Sequence, residues 1–193
     1  MEYKTISRKE AILEIARSIL IEEGHYRLTM RHLAKKSGMK LASLQYHYPT
    51  KTELISALMV QSIGTYHSMI HYLVHSIGTS EDGTAIGRLF ATYQDEQMNG
   101  VFDQLWALSV QDPSLKRQYE KAYADFWETI SDEVGRFDPS ADEPTRRTRA
   151  TMIIALLDGL ETFFSADQLR KNIPSLLQDQ VITLVRNIAT GKE

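Results

Sequence analysis

Residues 28–54 read LTMRHLAKKSGMKLASLQYHYPTKTEL, and the alternation of apolar and polar positions within them decides the fold. Two short helical patterns flank a break at Ser37-Gly38. In the first, Leu28, Leu33 and Ala34 can turn inward while Arg31, Lys35 and Lys36 point away; Gly38 then permits the sharp turn from which a second helix leaves at a steep angle. In the second, Met39 and Leu44 are the natural anchors. That leaves Lys40, Leu41, Ala42, Ser43, Gln45, Tyr46 and His47 for the surface. Two helices joined through a glycine turn, the second poor in aliphatic positions, is how a helix-turn-helix reads. Its outer face suits a DNA groove better than a protein core.

Upstream, Ile12, Ile15, Ala16, Ile19 and Leu20 form one apolar stripe and predict a helix from about Arg8 to Glu23, ended by Gly24. Downstream, Pro49 helps stop the second short helix, and Thr50-Lys51-Thr52-Glu53 reads as a capping box opening a long fourth helix to about Ser76. Further helices are expected near Thr84–Gln97 and Val101–Val110. Asp112-Pro113 opens another that runs to about Arg136. The last two, about Thr145–Ser165 and from Pro174 onward, are the most apolar, and more than one face of Met152–Leu160 needs covering. The chain has no useful β-alternation, repeat or low-complexity run. It is expected to be all-α, with about nine helices.

The 193 residues contain 42% hydrophobic side chains, which supports an ordinary globular protein. Cysteine is absent, so disulfides, thiolate metal sites and cysteine nucleophiles are excluded. The start of the chain lacks a basic segment leading into an apolar one, and no apolar run approaches a bilayer span. The expectation is a cytoplasmic protein without a membrane partner. Residues 1–60 hold ten basic and six acidic side chains, net +4; the remainder holds 12 and 19, net −7. A basic head on an acidic body fits nucleic-acid contact by the head.

The run ending Tyr46-His47-Tyr48-Pro49-Thr50-Lys51 resembles the DNA-binding domain of the TetR family of transcriptional regulators, whose second helix ends in a similar aromatic, histidine, aromatic tail. The resemblance covers roughly residues 8–56. It implies a helix-turn-helix domain over 1–50 and a helical ligand-binding and dimerisation domain over 51–193. The implied activity is that of a dimeric repressor on a palindromic, double-stranded operator, released by a small-molecule effector; no cofactor is implied. Thr29 would cap the second helix and meet a phosphate, and Arg31 could reach a guanine edge. Leu41, Ala42, Ser43, Gln45 and Tyr46 would form the reading face, with Tyr46, His47 and Lys51 holding phosphates and Tyr48 buried. Two residues depart from the family pattern. Gln45 replaces a common tyrosine and can pair bidentately with adenine, and Lys40 stands where a hydroxyl residue usually caps the helix, which suits a nearby phosphate.

One reading helix covers too few bases to find a site alone, so a dimer is expected, through Leu156, Leu157, Leu160, Phe164, Leu177, Val181, Leu184 and Val185. The middle of the chain concentrates large and polar side chains that either complete the core or line an effector cavity. Tyr66, His67, Met98, Phe102, Asp103, Trp106, Tyr123, Trp127, Asp158 and Phe163 are the lining set, suited to an amphipathic or cationic ligand. No nucleophile, base and orienter converge, and no catalytic or metal residues are assigned. Only His67, His71 and His75, at i, i+4 and i+8, resemble a metal row, two of which could share an ion with a carboxylate from another helix. A ligand-independent DNA-binding module is the other alternative.

Overall fold

The computed structural model describes residues 7–79, 81–94, 96–164, 171, 174 and 176–192, without the side chains of 93, 94, 96–100, 102 and 103. Nine helices and no strands occur among the described residues: α1 Arg8–Glu23, α2 Met30–Lys36, α3 Leu41–His47, α4 Lys51–Ser76, α5 Asp82–Gln94, α6 Glu96–Gln111, α7 Pro113–Phe137, α8 Glu143–Phe164 and α9 Leu177–Thr190. The chain forms two compact units, one of Met1–Ile63 with Gly100–Tyr119 and one of Gly64–Asn99 with Glu120–Glu193. These differ from the expected cut at residue 50, since the start of α4 and residues 100–119 group with the head. Helices α4 and α7 each begin in the first unit and end in the second.

The first unit is organised by caps and one apolar cluster. Ser7 and Glu10 form a reciprocal capping box on α1, with bonds of 2.7 and 3.2 Å. Gly24 ends α1 and Gly38 separates α2 from α3, at φ of 78° and 65°, a region other residues rarely enter. Ile12, Ala16, Ile19 and Leu20 from α1 bury with Leu28, Leu33 and Leu44; of the stripe read from the sequence Ile15 is only half-buried, and Leu13 joins the core instead. Thr50 accepts from the Glu53 amide at 3.1 Å, while its hydroxyl donates to the Glu53 carboxylate at 3.3 Å. The expected box is thus closed through side chains rather than through the Thr50 amide. Gln104 binds His25 through amide and ring at 3.3 and 2.9 Å, and the Ser56 hydroxyl donates to Gln118. Those contacts give residues 100–119 their place in the head.

In the second unit α9 packs on α5 and α8, and Phe90 on α5 meets Phe164 at 6.2 Å. Helix α5 starts two residues before the expected Thr84, and α6 starts at Glu96, ahead of the expected Val101. Asp112 caps α7 by accepting from Ser114 and Leu115, and Asp142 caps α8 by accepting from Thr145 at 3.0 Å. The expected end of α8 at Ser165 lies outside the described residues. No helix among the described residues is long and apolar enough to cross a membrane.

Candidate functional site

On α3 only Leu44 is buried. Ala42, Ser43, Gln45 and Tyr46 are exposed, Tyr46 at 85%, and Leu41 and His47 are half-buried. The helix is anchored from below by its neighbours: Tyr48 is buried against α1, its hydroxyl donating to the Lys9 carbonyl at 3.4 Å. Thr29 caps α2 by accepting from the His32 amide at 3.1 Å, and Arg31, two residues on, is exposed. Lys40 occupies the N-cap of α3 with an extended backbone and makes no side-chain cap bond. The first turn of α3 thus has a lysine at its N-cap and no side-chain cap, and a helix start of that kind favours an anion such as phosphate.

Two cations of the head are committed elsewhere. Lys36 pairs with Glu23 at 2.8 Å, and Lys51 turns back so that its ammonium donates to the His25 carbonyl at 3.3 Å. Burial lowers the pKa of Lys51 from its ordinary value. Lys51 is thus placed as a tie on the turn after α1, unlike the outward position expected for a phosphate contact. Arg27 is exposed in the turn before Thr29.

The second unit brings together Tyr66, His67, Tyr123, Trp127 and Asp158 of the expected lining set. A groove of about 410 Å³ between α7 and α8 is lined by Tyr123, Ala124, Trp127, Thr151, Ile154, Ala155 and Asp158. Burial pushes the Asp158 carboxyl up to about 6, against the hydrogen bonds of Tyr66 and Tyr123, which lower it. Among the described residues its Oδ1 is buried without a hydrogen-bond partner. Trp127 is held by Nε1 bonds to the Arg147 carbonyl and the Thr151 hydroxyl, at 3.2 and 2.9 Å, with the Arg147 guanidinium 4.8 Å over its ring.

His67 stacks on Phe126 at 3.8 Å and meets Tyr123 edge-on at 5.1 Å. Burial drives its pKa down to about 4, so the ring is neutral near pH 7, and its Nε2 has no hydrogen-bond partner among the described residues.

Other expected residues fall elsewhere. Trp106 belongs to the first unit, 54% exposed and 5.1 Å from the Tyr119 ring. Met98, Phe102 and Asp103 lie in α6 with their side chains outside those described. Phe163 is 53% exposed and lines no described groove. Among the expected interface residues, Leu157, Phe164, Val181 and Val185 are buried inside the second unit, which corrects their assignment: they are core, because α5 and α9 already cover that side of α8. Leu156, Leu160 and Leu177 are half-buried and Leu184 is exposed. They share the surface with Met152 and Phe163, and on α8 the positions 152, 156, 160 and 163 form one apolar stripe beside the exposed Gly159.

Residues 12–58 match the family model described as bacterial regulatory proteins, tetR family. A curated relative, an uncharacterised HTH-type transcriptional regulator in the dhlA 5′ region of Xanthobacter autotrophicus, is 22% identical over 161 residues, 81% of this chain and 79% of its own. Solved structures share the fold. Salmonella enterica GusR superposes with a TM-score of 0.69 at 17% identity, covering 95% of this chain and 94% of its own. A Saccharomonospora viridis protein in complex with choline gives 0.61 at 20% identity and 93% coverage of both chains. The multidrug binding protein EbrR with malachite green gives 0.65 at 16% identity, covering 94% of this chain and 98% of its own.

Proposed function

We propose, for a chain that belongs to the TetR family of bacterial transcriptional regulators, that it acts as a dimeric repressor of a palindromic operator and lets go of DNA when a small organic cation binds its body. It is a DNA-binding regulator rather than an enzyme. The observation that carries the reading is α3, a helix held by a single buried leucine with its remaining face turned outward. Gln45 reads adenine, Ala42 and Leu41 meet thymine methyl groups, Arg31 reaches a guanine edge, and Thr29, Ser43, Tyr46 and His47 hold register on the backbone.

Lys40 neutralises one phosphate at the open end of α3. Lys40→Ser is expected to stabilise the fold by about 1 kcal/mol, by supplying the missing cap. The same change should flatten the salt dependence of operator binding by about one unit of slope per subunit while leaving sequence preference alone. Thermal melts and binding titrations across salt concentrations check both arms. An unchanged slope removes the phosphate role.

Two copies pair through the stripe Met152, Leu156, Leu160 and Phe163 of α8, with Leu177 and Leu184 of α9, Gly159 allowing close approach of the helices. Exposed apolar side chains at this spacing support a partner helix of the same kind. Leu156→Arg is expected to give monomers in sedimentation and to abolish operator binding, since Leu156 is only half-buried and its loss spares the core. A variant that stays dimeric at micromolar concentration removes this face from the interface.

The effector reading rests on Asp158, a carboxylate with one orphaned oxygen in an aromatic groove. A cation stacked on Trp127 and Tyr123 would satisfy it. Choline and malachite green, the ligands in two structures of the same fold, are both cations. A ligand-independent DNA-binding module would leave that buried oxygen without a purpose. Binding shifts α7, and α7 and α4 continue into the head, so the recognition helices lose the separation an operator demands. Selection of bound genomic fragments with the purified protein tests the whole reading. Enriched palindromes with half-sites about 34–36 Å apart are expected, and their absence would refute it.

A further inference from the structure

The histidine row of α4 divides. His67 faces the aromatic cluster, whereas His71 Nε2 and His75 Nδ1 lie 3.2 and 3.1 Å from one and the same oxygen, Oε1 of Glu133 on α7. The three atoms lie within 4.8 Å of one another. The second carboxylate oxygen, Oε2, accepts from Arg136 Nε at 2.8 Å, and the same guanidinium donates to the His75 carbonyl at 2.8 Å.

We propose that His71, His75 and Glu133 form a binding site for a divalent transition ion of the zinc class, with a fourth position open to water. Two histidines at i and i+4 project from one helix face, the spacing from which a pair of imidazoles can take a single ion. A tetrahedral ion holding its ligands at about 2.0–2.1 Å separates them by roughly 3.3 Å, close to the spacing of both imidazoles from Oε1. The two ring nitrogens lie within 4.8 Å of each other and would close on the ion as it takes the place of the two hydrogen bonds. Glu133 is largely buried and the two imidazoles are about half exposed, so the carboxylate is anchored and the imidazoles are open to solvent. Arg136 is a positioning residue. It holds Oε2 and so leaves Oε1 facing the histidines, the kind of outer hydrogen bond that orients metal ligands.

Two imidazoles and one carboxylate select zinc, copper or nickel over magnesium or calcium, which prefer all-oxygen shells. The site is independent of the DNA and effector readings, because its residues belong to neither.

Calorimetric titration of the full chain with zinc sulfate is expected to give one ion per chain, and magnesium sulfate none. His71→Ala, His75→Ala and Glu133→Gln should each weaken zinc binding at least tenfold, while His67→Ala leaves it unchanged. The melting temperature of the wild-type chain should rise with zinc and not with magnesium. Cobalt(II) added to the wild-type chain should show the ligand-field absorption of a bound ion, a readout that needs no variant to fold. No saturable zinc binding, no cobalt spectrum, or affinities equal in wild type and all three variants would each overturn the site, and would leave the triad as a hydrogen-bonded tie between α4 and α7.

Discussion

Replacing Asp158 with asparagine is expected to stabilise the folded chain by about 3 kcal/mol above pH 6 and, in the same variant, to weaken binding of a cationic probe such as malachite green at least tenfold. Folding raises the Asp158 carboxyl from its ordinary 3.8 to about 6. A tenfold change in proton affinity is worth about 1.4 kcal/mol, so the ionised form costs the fold about 3 kcal/mol. The folded chain binds the proton more tightly than the unfolded one, so wild-type stability from this group is complete below about pH 4. It is lost as the pH rises through about 6. Wild type and Asp158→Asn should therefore melt alike at pH 3.5 and differ by roughly 6–12 °C at pH 7.

His67 supplies the opposite slope. Its pKa falls from 6.5 to about 4 on folding, so its contribution is present above pH 6.5 and is lost as the pH drops toward 4. The two slopes oppose each other between about pH 4 and 6 in the wild-type chain. Asp158→Asn removes one of them and should leave stability rising with pH across that window. Gain of stability with loss of ligand is the mark of a group kept for function. Unchanged affinity for malachite green in a stabilised variant would place Asp158 outside the effector site.

Leu44→Ala and Gln45→Ala, neighbours on α3, are expected to fail in opposite ways. Leu44 is fully buried and is the one anchor of its helix, so truncation should cost about 3–4 kcal/mol through lost transfer and an unfilled cavity. With α3 loosened, operator binding disappears for every sequence. Gln45 is exposed and should change stability by less than about 0.5 kcal/mol. Its loss should instead cost about 1–3 kcal/mol on the cognate operator and relax preference at one base pair of each half-site. Thermal melts and binding to a panel of single-base operator variants separate the two. Gln45→Ala with full preference intact would assign the reading to other residues of the face.

The head was legible because its helices are short, its breaks are glycines and its apolar positions serve a single core. Arg8–Glu23, the turn at Gly38 and the uncapped Lys40 all follow from local spacing and cap chemistry, which neighbours in the chain decide, while the burial of Tyr48 was implied by the family resemblance. All-α architecture followed on the same ground. Lys51 escaped this logic, since its partner is a backbone carbonyl 26 residues away that no period announces.

In the body, a stripe of leucines reports that a helix face needs covering but not by what. Leu157, Phe164, Val181 and Val185 look identical in sequence to Leu156, Leu160 and Leu184, yet the first group packs inside the unit and the second reaches its surface. Phe163 and Phe164 are adjacent and divide in the same way, one half-exposed and the other buried against Phe90. Periodicity foretold the histidine row, while the carboxylate that meets it comes from a helix 58 residues further on. Helix identity, caps and the reading face are properties of nearest neighbours along the chain and can be derived from the residues in order. Which apolar face becomes core, which carboxylate loses its water and which two imidazoles meet one carboxylate depend on the packing of helices distant in sequence, where burial sets both partner and charge.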